Sequence, residues 1–361
     1  MDKLKLYQNE SMEALRSQGD PLADVVIPVL IANADLAVQI NSWKNFPEAD
    51  VYSHFPEPLK AFLDFYQDAP GFIDEKKVLA SQEFFNAEGN LYLAMLGFYS
   101  LPYCYAFGDG AQVLIRSKRI KDEVGMRLSE TALFLLDVYR PGTFISDSQA
   151  LLTIAKVRLI HAFSRYFVQQ YAKDWKSEWG IPINQEDLIG TNSTFSLLVM
   201  RGFEKIGRFP GKETLEAVLH YWKVVGHYMG LNIDFWSETS KESFELSKII
   251  KTRQLKKTEA GKILINSLIN YYKESIPDKN LTKYMETVIA YFIGKEASNM
   301  LDIKEEFKLP KELYGLLLEL SFYRQSGRKP SYQKIRAQFM AQSKINFGKE
   351  VQLNIPVINR S

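Results

Sequence analysis

Ser148-Gln-Ala-Leu-Leu-Thr-Ile-Ala-Lys-Val-Arg-Leu-Ile-His-Ala-Phe-Ser-Arg-Tyr-Phe-Val168 sets the architecture of this chain. The run opens on the helix-capping residues Ser146, Asp147 and Ser148 and meets no Gly or Pro before Gly180. Its apolar residues (Leu151, Leu152, Ile154, Val157, Leu159, Ile160, Phe163, Phe167 and Val168) point almost all round, the pattern of a helix covered on every side. Continued to Trp175, it predicts a helix about 42 Å long at about 1.5 Å per residue. A compact chain of this length has a radius of gyration of only roughly 20 Å. The run therefore reads as a central helix, with His161 at its middle and deep inside the protein.

On either side the same helical periodicity recurs, over 56–67, 80–104, 119–139, 184–206, 212–229, 240–251, 258–274, 280–298 and 311–324. Breakers fall between these spans: Pro70-Gly71, Gly108-Asp-Gly110, Pro141-Gly142, Gly180-Ile-Pro182, Pro210-Gly211, Pro277 and Pro310. Strand alternation is scarce and no repeat of fixed period is present. The expected class is all-α, one multi-helix domain over 1–361, because no Pro/Gly/Ser-rich linker divides the chain. Residues 1–50 read as an N-terminal extension and 325–361 as a basic tail, the order of both left open.

Composition bounds the function. The 361 residues are 46% hydrophobic with a net charge of +2, enough material for a large core. The single cysteine, Cys104, excludes an internal disulfide framework and any multi-cysteine metal site. Met1-Asp-Lys-Leu-Lys offers no signal-peptide core, and the apolar stretch Val25 to Ala34 is short and interrupted by Pro28. No run of about 20 apolar residues suggests a membrane span. Cytoplasmic location is the expectation. From Arg324 to Ser361 there are eight Lys/Arg against Glu350 alone, a charge that could touch nucleic acid or anionic lipid. No nucleic-acid motif accompanies it, so a solvated tail wrapping the body is expected and no nucleic-acid partner.

Four groups of residues could carry chemistry. Arg158 and Arg165 stand at i−3 and i+4 from His161, on its face of the helix. A buried neutral imidazole with cations beside it suits an iron-porphyrin: Nε2 binds iron, Nδ1–H goes to a carbonyl near Val157, and the arginines approach the porphyrin carboxylates. A core histidine satisfied by hydrogen bonds, with arginines paired to carboxylates elsewhere, fits the same residues. Arg127, Glu130 and Thr131, in Gly125-Met-Arg-Leu-Ser-Glu-Thr-Ala-Leu-Phe-Leu-Leu136, share one face of an otherwise apolar helix. They offer a cation, an acid or base and a hydroxyl to one pocket, or a salt-bridged helix face. Asn184, with Asp187 three residues on, reads as a helix entry. His220 and His227, near Trp222, lack the i, i+4 spacing of a two-histidine metal site and read as core or channel lining.

Taken together, Lys156-Val-Arg-Leu-Ile-His-Ala162, Asn184-Gln-Glu-Asp-Leu-Ile-Gly-Thr191 and Trp222-Lys-Val-Val-Gly-His-Tyr-Met-Gly230 resemble the latex clearing proteins. These are rubber oxygenases, within a broader group that includes oxygenases of mycophenolic acid biosynthesis. The likeness runs from about Phe84 to about Asp302 and takes in Arg253-Gln254, Glu259-Ala-Gly261 and Tyr291-Phe-Ile-Gly-Lys295. The resemblance implies an all-helical fold with a globin-like core holding one haem b. It implies His161 as proximal iron ligand and Arg127 and Thr131 on the distal side, the 31-residue step from Glu130 to His161 matching the family's spacing. It implies O2-dependent cleavage of carbon–carbon double bonds, as family members cleave cis-1,4-polyisoprene to aldehyde and ketone ends.

Two departures shape the expectation. The studied rubber oxygenases carry a lysine where Glu130 stands, and Glu130 cannot copy an amine ligand. It could act as a base or position O2; Arg127 favours its ionised form and burial opposes it. The rubber oxygenases are exported, whereas this sequence shows no export signal, so a smaller apolar unsaturated substrate is expected, such as an isoprenoid or lipid. Phe134, Phe163, Phe195 and Trp222 are candidate walls for haem or substrate. Two alternatives stand beside the oxygenase: a haem-binding sensor or carrier without turnover, and a haem-free member keeping only the fold.

Overall fold

The chain is seen in a computed structural model, which describes residues 3–116, 123–276, 279–322 and 331–358. Among these residues the protein is all-helical, with two isolated β-bridges, Phe107 to Leu255 and Thr143 to Asp147, in place of strands. In chain order the helices are α1 (Asn9–Leu15), α2 (Pro21–Asp24), α3 (Ile27–Ala32), α4 (Ala34–Ser42), α5 (Glu57–Asp64), α6 (Glu75–Met95), α7 (Leu101–Tyr105), α8 (Gly110–Arg116), α9 (Val124–Val138) and α10 (Gln149–Tyr171). There follow α11 (Gln185–Ser193), α12 (Val199–Lys205), α13 (Lys212–Tyr228), α14 (Ser240–Gln254), α15 (Glu259–Ser275), α16 (Lys279–Thr282), α17 (Met285–Leu301), α18 (Lys311–Phe322) and α19 (Tyr332–Phe347). One continuous apolar core runs from Tyr7 to Ile355. The sequence expectations for 119–122, Pro277, 323–330 and 359–361 lie outside the described residues.

The helix carrying His161 is α10, buried on all sides by Ala150, Leu152, Ile154, Ala155, Leu159, Ala162, Phe163 and Val168. It stops at Tyr171 rather than running to 176, which shortens it to about 34 Å at about 1.5 Å per residue. Beyond it the chain folds back. The Trp175 indole donates to Gly180 O at 2.9 Å, while the Arg116 guanidinium pairs with Asp174 and lies over the Trp175 and Trp179 rings at 5.5 and 5.3 Å. Side chains from α8 and the loop thus hold these aromatic residues in a turn, against their helical propensity.

Two expected continuous helices contain a wide π-turn. After α6 comes Leu96–Ser100, and Pro102 explains it. A proline has no N–H and its ring collides with a carbonyl one α-turn back, so a wider turn makes room. After α11 comes Thr194–Leu198, in a run of serines and threonines whose hydroxyls return to their own helix: Ser193 Oγ to Ile189 O and Ser196 Oγ to Asn192 O, both 2.9 Å. The two π-turns face each other. Ser100 Oγ donates to Thr194 O at 2.6 Å and Tyr92 OH donates to Phe195 O at 2.5 Å, so side chains take up the carbonyls the wide turn leaves.

Residues 3–50, whose order the sequence left open, pack on the body through paired charges and hydrogen bonds. Arg158 of α10 makes a bidentate pair with Asp20, Nε to Oδ2 at 2.6 Å and the terminal nitrogen to Oδ1 at 2.8 Å, and both residues are 3% exposed. About two turns on, Arg165 Nε donates to Asp24 at 2.7 Å. Gln185, at the start of α11, donates to Gly19 O and Gly230 O and accepts from Asn232 N–H, stapling three segments together. The C-terminal part is folded as well. α19 is bolted to α9 by Arg336–Asp137 at 2.6 Å and by Tyr332 OH to Leu136 O at 2.8 Å, and residues 351–358 return to the body, with Val351 and Ile355 buried. The basic segment wraps the body as expected, but as a helix and an anchored strap.

Candidate functional site

Helices α7 to α11, α13 and α15 enclose a cavity of about 580 Å3, within the range of small-molecule and cofactor sites. Its walls are mainly apolar. Leu128 and Phe134 come from α9, Val157, Ile160, Phe163 and Phe167 from α10, Leu188 from α11, Phe195 from the second π-turn and Trp222 and Val225 from α13. The four aromatic walls expected from the sequence, Phe134, Phe163, Phe195 and Trp222, all meet here.

Against these walls stand a few polar groups. Arg127, Glu130 and Thr131 line the cavity from α9, and His161 lines it from the adjacent α10. The i, i+3, i+4 spacing on α9 does place its three residues on the cavity face. Thr131 Oγ1 donates to Arg127 O at 3.0 Å, so its hydrogen belongs to its own helix and its lone pairs remain as acceptors. Burial, then the nearby Arg165 guanidinium, hold the His161 imidazole down to about 4, with Asp20 opposing and Arg127 adding to the effect. It is neutral near pH 7, and among the described residues no hydrogen bond to its ring is present. Arg127 also acts on Tyr105, a cavity residue whose phenol burial pushes up to about 12.

The two arginines flanking His161 do not line the cavity. Their guanidiniums turn to the N-terminal helices: Arg158 to Asp20 and to Tyr228 O at 3.3 Å, Arg165 to Asp24 and to Ile183 O at 3.0 Å. The guanidiniums expected beside porphyrin carboxylates are here engaged by Asp20 and Asp24 and turned away from the cavity. Spacing puts them on the face of His161, but carboxylates over a hundred residues away in sequence capture them. Ile183, which accepts from Arg165, lines the cavity at φ 51°, a left-handed conformation that strains a β-branched residue.

Asn184 caps α11 as the sequence predicts, its Oδ1 accepting from Asp187 N–H at 3.0 Å. Asp187 does more than cap, because its carboxyl lines the cavity and accepts from Asn184 Nδ2 at 2.9 Å. Burial, reinforced by Glu186 and Asp109 and opposed by Arg16, pushes it up to about 7. Cys104, whose Sγ lies 3.2 Å from Thr194 Oγ1, and Thr191 and Asn192 are among the polar lining residues that sequence reasoning missed. Their signal was the Ser/Thr/Asn run 191–194, read only as helix entry.

His220 and His227 lie apart from the cavity. His220 Nε2 accepts from Asp74 N–H at 2.9 Å, and His227 packs against Phe65 and Phe72 at 5.0 and 5.5 Å. Among the described residues no group of three or more His, Cys, Asp or Glu is placed to hold a metal ion. No single described helix is long and apolar enough to cross a membrane, though the bent pair Pro21–Ala32 and Ala34–Ser42 passes that test together.

The chain matches the family model for the catalytic domain of the ER-bound oxygenase mpaB/B′ and rubber oxygenase over residues 105–313. A rubber oxygenase of Streptomyces sp. (strain K30) is 24% identical over 294 residues, covering 80% of this chain and 71% of that protein. A solved structure of latex clearing protein LCP in the closed state superposes with a TM-score of 0.71 at 20% identity, covering 94% of each chain. The likeness in structure extends the match beyond the family segment to both ends of the fold.

Proposed function

This chain belongs to the family of mpaB/B′ and rubber oxygenases, and on that premise we propose that it is an oxygenase using haem b on His161 and O2 to attack a carbon–carbon double bond of an apolar substrate. The observation that carries the reading is His161 itself: a neutral imidazole on the wall of a mostly apolar cavity, facing the polar triad of α9. The donor set fits a porphyrin rather than a bare ion, because a porphyrin supplies the iron's equatorial nitrogens and needs one protein ligand. Aromatic walls and a neutral imidazole on the cavity surface support that fit.

When bound, the haem would supply iron able to bind and reduce O2. The protein's part follows from its residues. His161 offers a lone pair at any pH above about 4. The apolar walls take an unsaturated hydrocarbon from water, at about 25 cal/mol per Å2 of apolar surface covered, and exclude solvent from the reacting atoms. Arg127 directs positive charge toward an oxygen gaining electrons. Glu130 holds or accepts a proton at its carboxylate, and Thr131 accepts a hydrogen bond through its hydroxyl lone pairs. Asp187 is a second proton site on a different wall.

The test is the visible spectrum of the protein as isolated and after haem addition, beside His161→Ala, followed by O2 uptake and carbonyl detection with a short polyprenoid. A Soret band lost or shifted in the variant, with O2 consumed and aldehyde or ketone formed, supports the proposal. A band without uptake indicates a haem-binding sensor or carrier. No band in a folded protein supplied with haem indicates a haem-free member of the family.

A further inference from the structure

The cavity wall includes three residues from the far end of the described chain: Leu353, Asn354 and Pro356. They sit on an extended strap over residues 351–358 with no secondary structure of its own. Gly348, at φ 69°, ends α19 and turns the chain back. Ser343, 3% exposed, fixes the turn: its Oγ donates to Lys349 O at 3.2 Å and accepts from Val351 N–H at 3.0 Å. Val351 and Ile355 are the buried anchors, at 2% and 1% exposed. Between them Leu353 is half-buried and Asn354 is exposed while also lining the cavity, so the cavity reaches solvent beside the strap.

One side chain holds the strap to the body. Asn41 of α4 donates from Nδ2 to Ile355 O and accepts at Oδ1 from Ile355 N–H, both at 2.9 Å, imitating a paired strand on a single residue. Asn41 O in turn accepts from Lys156 Nζ on α10 at 3.3 Å, so the clamp rests on the helix that bears His161. The rest of the C-terminal segment is fastened independently, through Arg336–Asp137 and Tyr332. The strap can therefore lift without α19 moving. The two Asn41 hydrogen bonds, the buried anchors Val351 and Ile355, and partly buried Leu353 and Ile358 hold it.

We infer that the 351–358 strap is the movable wall of the cavity, and that Leu353 and Pro356 set the size of the apolar ligand admitted, with Asn41 as the latch. This deepens the reading of the cavity as an apolar substrate site, but its test needs neither haem nor turnover. Cys104 is the chain's one cysteine and lines the same cavity, so its labelling rate reports access. Burial pushes its thiol up to about 11, which keeps the closed-state rate low.

The experiment times Cys104 labelling by methyl methanethiosulfonate and by fluorescein maleimide in the protein as isolated, in Asn41→Ala, in Leu353→Ala and in a chain cut after Lys349. Losing the two latch bonds raises the open population about 30-fold. Asn41→Ala and the truncated chain are expected to label faster with the maleimide by about that factor, with a smaller change for the small reagent. Leu353→Ala, which widens the wall without touching the latch, is expected to raise the maleimide rate relative to the small reagent. Leu63→Ala in α5, away from the strap, controls for general loss of stability. Maleimide rates unchanged within about twofold in folded Asn41→Ala, or raised no more than in Leu63→Ala at equal stability, overturn the proposal. Should the truncated chain fail to fold, Asn41→Ala and Leu353→Ala still decide it.

Discussion

Replacing Arg158 with alanine tests whether this arginine serves the fold or a bound cofactor. Its guanidinium makes two short bonds to Asp20, a third to Tyr228 O, and lies over the Phe65 ring at 4.8 Å. Both partners are 3% exposed, so removing the cation leaves a carboxylate in an apolar setting with little access to water. Breaking a buried pair from one side costs about 3–5 kcal/mol, a large share of the roughly 5–15 kcal/mol that holds a domain folded. Asp20→Ala is expected to cost a similar amount. The double variant Arg158→Ala/Asp20→Ala, which removes both charges, is expected to cost less than the two single losses together, by a coupling of about 2–4 kcal/mol. Urea denaturation of the four proteins gives the cycle, and the slope m shows whether the transition stays comparable. The reasoning fails if Arg158→Ala costs under about 1 kcal/mol while haem affinity collapses. That result would put the guanidinium on the porphyrin carboxylates.

Three further outcomes follow from the same structure. Gly230→Ala forces φ 79° on an L-residue and places a Cβ 2.6 Å from Asp20 Oδ2 and 2.7 Å from Arg158 Nε; strain alone costs about 1–3 kcal/mol and the contact adds to it, so a thermal midpoint equal to the parent's would contradict the packing. Asp187→Asn changes how stability depends on pH: the folded acid titrates at about 7 and the unfolded one near 3.9, so the folded form keeps its extra proton between them and the parent loses stability as pH rises through that window. The variant should match the parent below about pH 4 and exceed it by a few kcal/mol at pH 8, and a pH-independent difference in urea midpoint would reject the assignment. Trp222→Phe removes the indole N–H that reaches Tyr92 OH at 2.9 Å and Tyr139 OH at 3.2 Å, and should cost about 1–2 kcal/mol by calorimetry with the helix content unchanged.

Local signals carried most of the helices. The capping of α11 by Asn184, the breakers, and the all-round apolar pattern of α10 are written within a turn or two of the residues they shape. The cavity face of Arg127, Glu130 and Thr131 was legible for the same reason, since helical spacing fixes which residues share a side. What that spacing cannot fix is the partner across the gap. The Asp20 and Asp24 partners of Arg158 and Arg165 were not legible, because they lie 138 and 141 residues away in sequence. The π-turn over Thr194–Leu198 escaped notice because its carbonyls are taken up by Ser100 and Tyr92, far away in sequence, and the one over Leu96–Ser100 because Pro102 was not read as a breaker. Asp187 was read as part of the helix entry, where its N–H meets the Asn184 cap, while its place on the cavity wall depends on how α11 packs. The strap offered no periodicity at all, and only its contact with Asn41 gives it meaning.

That contact joins residues 314 apart, almost the whole length of the chain. A contact of such long sequence separation forms late, once the intervening elements have condensed. During vectorial synthesis it cannot form until every helix it covers has been made. For that interval the nascent protein is a folded vessel without its cover, with His161 in place and the route to it at its widest. The order in which the ribosome delivers the segments thus leaves the clamp of Asn41 on Ile355 among the last contacts of the fold to be made.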